Sequence, residues 1–250
     1  MKIRQISKKI AVLHVSTAEN PYLNVDSLGA LKSAVEQLNA QSDLCAVILV
    51  GHTDYFSAGG SLKALKGFGS ANPLSAFDAD FPRLMLSIKV PTIAAMAGHA
   101  IGGGLILGLW CDLVYLAEES LYGANFMTLG FTPGMGGTQI LFDAFGLYLG
   151  NELLYSGKLL KGRAIKEQMC PLSYAVLPKD EVVAHAMSIA EEISEIRRPA
   201  LMELKQKLVA RRMPALDVVL KQEKEMHDLL MNNEQIQDCI ALAYRHPLDT

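Results

Sequence analysis

Residues 91–104 read PTIAAMAGHAIGGG, an apolar run that leads into a histidine and three consecutive glycines. The run Pro91–Met96 is short and almost wholly apolar, as is typical of a strand that is buried on both faces. After the glycines, residues 105–111 have the pattern of a helix, and residues 112–116 have the pattern of another strand. A strand, a glycine turn, a helix and a strand in this order predict an α/β fold.

The same arrangement occurs earlier in the chain. Residues 45–50 (CAVILV) are a second apolar run, which ends at Gly51 and is followed by the polar, glycine-containing turn Tyr55–Gly60. Further upstream, residues 2–16 alternate as a strand or hairpin does, and apolar residues recur at helical spacing between Asp26 and Leu38. The repetition of strand and glycine turn supports the α/β prediction.

The last part of the chain has a different pattern, because helical spacing predominates from about Glu181 onward. Three amphipathic helices are predicted there: Val182–Ile196, Pro199–Ala210 and Leu216–Tyr244. We therefore divide the chain into a core that carries the glycine turns, residues 1–180, and a C-terminal helical region, residues 181–250.

Composition and charge exclude several classes of protein. The 250 residues are 50% hydrophobic and carry a formal net charge of −3, which argues against a disordered chain and against a nucleic-acid-binding surface. The N-terminus shows no apolar signal core, and the most apolar stretch, Val90–Leu109, is interrupted by a proline, a histidine and glycines. The four cysteines are scattered, with no C-x-x-C pair. We expect a soluble, cytoplasmic protein without membrane contact.

Two glycine turns, Ser57–Gly60 and Ile101–Gly104, follow strands and could therefore approach a ligand closely. A helix that starts at Gly104 exposes N–H groups and the positive end of its dipole at the first turn. Two N–H groups that converge on one oxygen would stabilise an enolate. The pattern alone fits a packing device or a phosphate nest equally well, whereas the dinucleotide fingerprint G-x-G-x-x-G is missing. Between Gly67 and Pro82, a stretch rich in Gly, Ser, Ala and Asp predicts a mobile loop beside this site.

Three motifs in this order resemble the crotonase (enoyl-CoA hydratase/isomerase) superfamily: FSAGG at 56–60, PTIAAMAGHAIGGG at 91–104 and GFTPGMGGT at 130–138. The resemblance extends from residue 3 to about residue 245. It implies a crotonase spiral of ββα repeats with a C-terminal α-helical region, and a homotrimer. It also assigns the oxyanion hole for a thioester carbonyl to the N–H groups of Gly60 and Gly103.

Two positions depart from the hydratases that the chain resembles. Those enzymes add water with two glutamates, and here the corresponding residues are Ile106 and Phe126. Without a carboxylate to activate water, efficient hydration is not expected. An inactive homologue is the alternative, but both glycine turns are retained, which argues against it.

Within the superfamily, the chain is similar to the second of two crotonase-like enzymes in polyketide β-branching. This similarity rests on Ala124–Met127 (ANFM), Gly130–Gly136 and Glu223–His227 (EKEMH). It implies decarboxylation of a 3-methylglutaconyl group, held on the phosphopantetheine of an acyl carrier protein, to a 3-methylcrotonyl-type thioester. No cofactor and no metal would be required, since the thioester itself accepts the electrons.

The resemblance also implies roles for individual residues. A lysine shortly after Gly60 would hold the substrate carboxylate; Lys66 is favoured over Lys63, which is expected near the substrate carrier, and the choice stays open. His227 would return a proton to the dienolate. The predicted substrate-contacting residues are Lys63, Ile106, Asn125, Phe126 and Phe131. Basic residues that could meet an acidic carrier protein are Lys63, Lys205, Lys207 and Arg211.

Two other enzyme activities remain open at the level of the sequence. An enoyl-thioester isomerase would require a carboxylate base, which both usual positions lack. A decarboxylase that acts on coenzyme A thioesters differs only in its acyl donor.

Overall fold

A computed structural model describes residues 1–66 and 74–230, without the side chains of Val25, Lys63, Lys66 and residues 74–78. The strands are β1 Lys2–Gln5, β2 Ile10–His14, β3 Ala46–Val50, β4 Tyr55–Ser57, β5 Thr92–Met96, β6 His99–Ile101, β7 Leu113–Ala117, β8 Leu121–Gly123, β9 Leu159–Lys161 and β10 Val176–Leu177. The helices are α1 Val25–Asn39, α2 Leu62–Lys66, α3 Leu74–Leu86, α4 Gly103–Leu109, α5 Gly137–Phe145, α6 Leu147–Ser156, α7 Gly162–Glu167, α8 Val182–Ser194 and α9 Arg198–Leu230.

The strands form two sheets that the chain visits in alternation. The first has the order β1-β2-β3-β5-β7-β10, and the second has the order β4-β6-β8-β9. Each of the pairs β3/β4, β5/β6 and β7/β8 contributes one strand to each sheet before the chain continues into helix. This is a spiral of ββα repeats, and it confirms the crotonase fold that the sequence predicts.

The six-stranded sheet is covered on both faces, which explains why its strands are almost continuously apolar. Alternate residues such as Leu49 and Ala94 face the main core, whereas Ile48 and Ala95 face the outer side. Helix α8 packs on that outer side through Val182 and other small apolar residues. The two glycine turns therefore lie on the opposite side of the sheet from α8.

The C-terminal part is helical as predicted, but its boundaries differ. Helix α8 ends at Ser194, close to the predicted end, and α9 then runs without a break from Arg198 to Leu230 although Pro214 lies inside it. The gap predicted between Ala210 and Leu216 was wrong. Burial of Leu216 and Leu220 stabilises the helix across the proline, so packing outweighs the lost hydrogen bond. Residues 231–244 of the predicted helix lie outside the described residues, and the division at residue 180 stays a prediction.

The loop predicted between Gly67 and Pro82 is largely a helix. Residues 74–82 belong to α3, which contacts α1 and α9, while residues 67–73 lie outside the described residues. The prediction relied on small and polar residues, whereas the helix is held by the fully buried side chains of Phe81 and Met85. The composition of the stretch gave no indication that two large side chains would stabilise a helix by tertiary packing.

The described cysteines behave as small apolar residues. Cys45 and Cys111 are buried, Cys170 is partly buried, and all three are free thiols, while Cys239 lies outside the described residues. Burial raises the pKa of Cys111 to about 12, so its thiol stays protonated at neutral pH. In the described parts of the chain, no helix is long and apolar enough to span a bilayer.

Candidate active site

The two glycine turns meet where α4 begins. A Cβ atom at Gly104 would collide with the Ser57 carbonyl group, and one at Gly59 would lie 2.6 Å from the Ile101 carbonyl oxygen. Gly59 and Gly102 also have φ angles of 82° and 54°, which side chains disfavour. Only glycine permits this approach, and the pairing of β4 with β6 fixes it.

The two predicted amide donors lie beside this contact. Gly103 is the first residue of α4, so its N–H group has no acceptor within the helix. The Gly59 carbonyl accepts a 2.7 Å hydrogen bond from Leu23 N–H. Because a trans peptide directs its C=O and N–H in opposite directions, the Gly60 N–H points away from Leu23. The structure thus brings the Gly60 and Gly103 segments together, as the sequence predicts.

Three of the predicted substrate contacts, Ile106, Phe126 and Phe131, are apolar residues around the start of α4, and we call them the apolar wall. Ile106 is fully buried, and the rings of Phe126 and Phe131 meet edge to face with centroids 5.8 Å apart. A Cβ atom on Gly102 would lie 2.9 Å from Asn125 Oδ1 and 3.9 Å from the Phe126 ring. Asn125, Phe126 and Phe131 therefore lie together beside Gly102, whereas the Ile106 side chain packs against Gly137. Apolar side chains occupy both positions where hydratases carry glutamate.

The segment Thr132–Thr138 closes another side of the site. Met135 adopts a left-handed conformation with φ 60°, and its sulfur lies 3.1 Å from where a Cβ atom of Gly103 would be. Trp110 Nε1 donates a 2.8 Å hydrogen bond to the Met135 carbonyl, and the Arg212 guanidinium lies 4.9 Å above the Trp110 ring. This segment is therefore packed directly against the predicted oxyanion glycine.

His227 reaches the same segment from α9. Its Nε2 lies 2.8 Å from the Thr132 carbonyl oxygen. Because a carbonyl oxygen can only accept, this contact places the hydrogen on Nε2, and the predicted proton transfer would then use Nδ1. The contact fixes the orientation of the ring and supports the sequence-based assignment of His227 to the site.

Glu223, one turn before His227, is a site residue whose contacts the sequence did not predict. The sequence drew attention to it only as part of the motif Glu223–His227, without a role. Its carboxylate is 2% exposed and accepts hydrogen bonds from Gly136 and Thr138. The four-residue spacing, which places both side chains on one helix face, was the signal that could have identified it.

The two candidate lysines both lie on α2. Leu65 of this helix packs on Gly60, with its Cδ2 atom 3.0 Å from where a Cβ atom of that glycine would be. The backbone of Lys63 and Lys66 is thus placed close to the predicted oxyanion hole. Their side chains lie outside the described part of the structure, and the choice between them stays a prediction.

His99 fixes the backbone next to the second glycine turn. Its Nδ1 accepts a 2.9 Å hydrogen bond from the Leu121 N–H, which ties β6 to β8. Burial lowers the pKa of His99 below its ordinary value, which favours the neutral ring that can accept this bond.

The predicted basic surface is wrong at one of its four residues. Lys205 is only 4% exposed, and its Nζ lies 2.5 Å from Asp112 Oδ2. The prediction assumed that a charge on an amphipathic helix is solvated, but Lys205 lies on the buried face of α9, one turn after Leu201. Lys207 and Arg211 are exposed as expected, and Lys207 pairs with Glu203. Among the described residues, no cluster of His, Cys, Asp or Glu could hold a metal ion.

Replacement of Thr132 by valine should raise stability. The Thr132 side chain is buried, and within the described residues its hydroxyl has no hydrogen-bond partner. An unsatisfied buried polar group costs about 1–3 kcal/mol. Valine retains the backbone carbonyl that faces His227, so we expect the free energy of unfolding to rise by about 1 kcal/mol in urea titrations.

Thr138→Val is the matched control for this prediction, since the Thr138 hydroxyl donates to Glu223 Oε1 at 2.7 Å. Loss of a hydrogen bond to a charged group should cost about 1.5–3 kcal/mol. A destabilised Thr132→Val protein would show that the Thr132 hydroxyl has a partner in the folded state.

Comparison with protein families gives a match to the model described as enoyl-CoA hydratase/isomerase, over residues 6–245. Among curated proteins, the bacillaene synthase decarboxylase PksI of Bacillus subtilis (strain 168) is 35% identical over 97% of both chains. The 2,3-dehydroadipyl-CoA hydratase of Escherichia coli (strain K12) is 28% identical, over 95% of this chain and 92% of that protein.

Solved structures give the same picture. A structure of a dehydratase/decarboxylase enzyme couple involved in polyketide β-branching aligns with a TM-score of 0.91 and 34% identity, over 98% of this chain and 99% of the other. The ECH2 decarboxylase domain of CurF from Lyngbya majuscula aligns with a TM-score of 0.87 and 28% identity, over 97% and 98% of the two chains.

Proposed function

The chain belongs to the enoyl-CoA hydratase/isomerase family, as a decarboxylase of the crotonase superfamily, and from that premise we propose that its substrate is a 3-methylglutaconyl thioester on an acyl carrier protein. The product is a 3-methylcrotonyl-type thioester, made during polyketide β-branching. The observation that carries the proposal is the combination of two retained glycine turns with apolar residues at Ile106 and Phe126. The likeness to PksI and to the CurF domain supports it.

In the proposed reaction, the bond between the carboxylate carbon and the γ-carbon breaks and carbon dioxide leaves. The electron pair moves through the carbon–carbon double bond to the thioester oxygen, which becomes the oxygen of a dienolate. The N–H groups of Gly60 and Gly103 donate to this oxygen as its charge develops. The thioester is the electron sink, so the reaction as proposed uses no cofactor.

The apolar wall has two effects on this reaction. Phe126 and Ile106 present no carboxylate that could deprotonate water, so hydration of the unsaturated thioester is not catalysed. Their burial also lowers the local polarity, which disfavours a compact carboxylate relative to the delocalised charge of the dienolate. Both effects direct a glutaconyl thioester toward loss of carbon dioxide.

His227 completes the reaction as the proton donor. With Nε2–H held by the Thr132 carbonyl, the protonated ring donates from Nδ1 to a carbon of the dienolate. The ring then regains its proton from solvent, and no other group in the proposed cycle changes its charge permanently.

The carboxylate of the substrate requires a cation, and we assign that role to Lys66. Lys66→Ala should lower kcat/KM by about 10- to 100-fold, because one positioned charge that orients the leaving carboxylate is lost. Lys63→Ala on the same helix is the matched control and should have a smaller effect, mainly on KM for the loaded carrier. The reverse order of the two effects would transfer the role to Lys63.

The proposal includes a homotrimer. Leu204, Leu208 and Val218 are 59%, 42% and 57% exposed, on the side of α9 that faces away from the core. Exposed apolar side chains that share one face of a helix are typical of a surface that another chain covers. Light scattering of the purified protein should give three times the 27.2 kDa of one chain; a monomer would contradict this part of the proposal.

Release of labelled carbon dioxide tests the substrate assignment. The 3-methylglutaconyl group, labelled in its free carboxyl group, is loaded on a carrier protein and, separately, on coenzyme A. We expect the label to be released from the carrier-bound substrate much faster than from the coenzyme A thioester. Release from coenzyme A alone would contradict the assigned donor, and release from neither by a folded enzyme would contradict the decarboxylation itself.

A further inference from the structure

Helix α5 begins without a capping side chain of its own. Its N-cap residue is Gly136, which has a φ angle of 74° and no side chain that could satisfy the first N–H groups. Glu223 of α9, which is distant in sequence, supplies the capping carboxylate instead. Its Oε2 accepts from Gly136 N–H at 2.7 Å, and its Oε1 accepts from Thr138 N–H at 2.9 Å and from the Thr138 hydroxyl at 2.7 Å.

The charge of Glu223 suits this position. The N-terminus of a helix carries partial positive charge, and hydrogen bonds to an ionised carboxylate are stronger than neutral ones. Glu223 is 2% exposed, so hydrogen bonds such as these replace the water that would otherwise solvate its carboxylate. A neutral glutamine would direct an NH₂ group at one of the donors and would lose at least one of the three bonds.

Glu223 and His227 hold the two ends of the same segment. Glu223 contacts Gly136 and Thr138, and His227, one helical turn later, contacts the Thr132 carbonyl. The middle of the segment is Met135, which packs against Gly103. Buried Leu216 and Leu220 anchor the preceding turns of α9, and the Glu223 contacts hold the helix one turn before His227.

We infer that Glu223 is a positioning residue that holds His227 where its Nδ1 can protonate the substrate-derived dienolate. The inference rests on the proposed function, because it assigns the proton donor of that reaction. Glu223 itself has no contact with substrate in this account: its carboxylate is committed to the α5 N-terminus, and it acts through the histidine.

A double-mutant cycle separates positioning from general stabilisation. Glu223→Gln should lower kcat by about 10- to 100-fold with little change in KM, because substrate binding does not depend on the proton donor. In a protein that already carries His227→Gln, the same change should lower kcat by less than about twofold, since the group through which Glu223 acts is gone. Glu225→Gln, on the exposed side of the same helix, is the matched control and should leave kcat unchanged.

The inference would be overturned if Glu223→Gln lowered kcat by the same factor with and without His227→Gln. An unchanged kcat for Glu223→Gln alone would also overturn it. Glu223→Asp keeps the charge but shortens the side chain by one methylene, and it replaces glutamine in the cycle if the glutamine variant does not fold. Thermal unfolding of every variant is recorded in parallel, so that loss of folded protein is not counted as loss of kcat.

A second readout does not depend on turnover. In ¹⁵N-resolved NMR spectra of the imidazole groups, His227 should be a fixed Nε2–H tautomer in the unmutated protein and should average between tautomers in Glu223→Gln. An averaged His227 in the unmutated protein, or a fixed one in the variant, would overturn the inference. If the unmutated protein releases no carbon dioxide but the NMR change is seen, the proposed function fails while the positioning of His227 by Glu223 stands.

Discussion

His227→Gln should lower kcat by about 100- to 10,000-fold, the range expected for loss of a general acid. The glutamine amide can still donate to the Thr132 carbonyl, as His227 Nε2 does at 2.8 Å. What it lacks is a group equivalent to Nδ1 that can deliver a proton at neutral pH. We therefore expect a folded protein with nearly normal KM whose turnover is limited by protonation of the dienolate.

His52→Gln is the control for this prediction. His52 lines a cavity of about 620 Å³ with Ile48, Ala95 and Val183, on the outer side of the six-stranded sheet. A histidine there is separated from the glycine turns by the sheet, so its replacement should leave kcat within a factor of two. Full activity of His227→Gln in steady-state assays would remove His227 from the mechanism.

Lys205→Ala should lower the free energy of unfolding by about 3–5 kcal/mol, the usual cost of breaking a buried ion pair on one side. Asp112 Oδ2 accepts from Lys205 Nζ at 2.5 Å and from Thr92 N–H and hydroxyl at 2.8 and 2.9 Å. Without the lysine, this largely buried carboxylate keeps only neutral hydrogen-bond donors, with the Arg212 charge in its surroundings. Urea unfolding monitored by circular dichroism would measure the loss.

Two comparisons make this prediction specific. Lys207→Ala, on the exposed side of α9, should change stability by no more than about 0.5 kcal/mol, because surface pairs contribute little. Asp112→Asn in the Lys205→Ala background should recover part of the loss, since it removes the unpaired charge. An effect of Lys205→Ala as small as that of Lys207→Ala would show that the pair does not stabilise the fold.

The parts of the fold that depend on local pattern could be predicted from the sequence. The glycine turns at residues 57–60 and 101–104 predict a close approach to a ligand or a packing device, and the structure shows close backbone packing at Gly59 and Gly104. The strands of the second sheet were not predicted, because three residues such as Tyr55–Ser57 are too few to show a period. Their identity depends on pairing with strands that are distant in sequence.

The errors along α3 and α9 have one physical origin. In each case the decisive information is what the helix packs against, which the sequence of that helix does not contain. Pro214 is tolerated inside α9 because Leu216 and Leu220 are buried close to it. Lys205 can be buried because its ammonium group pairs with Asp112. The role of Glu223 was missed for the same reason: its partners lie on α5.

Intact-protein mass spectrometry of a 3-methylglutaconyl acyl carrier protein shows whether the enzyme decarboxylates this substrate. Decarboxylation and hydration change the mass of the loaded carrier in opposite directions, so one spectrum distinguishes them. We expect the mass of the loaded carrier to fall by one carbon dioxide, with no addition of water before or after that loss. A gain of one water with the carboxyl group retained, or an unchanged mass with folded enzyme and cognate carrier, would contradict it.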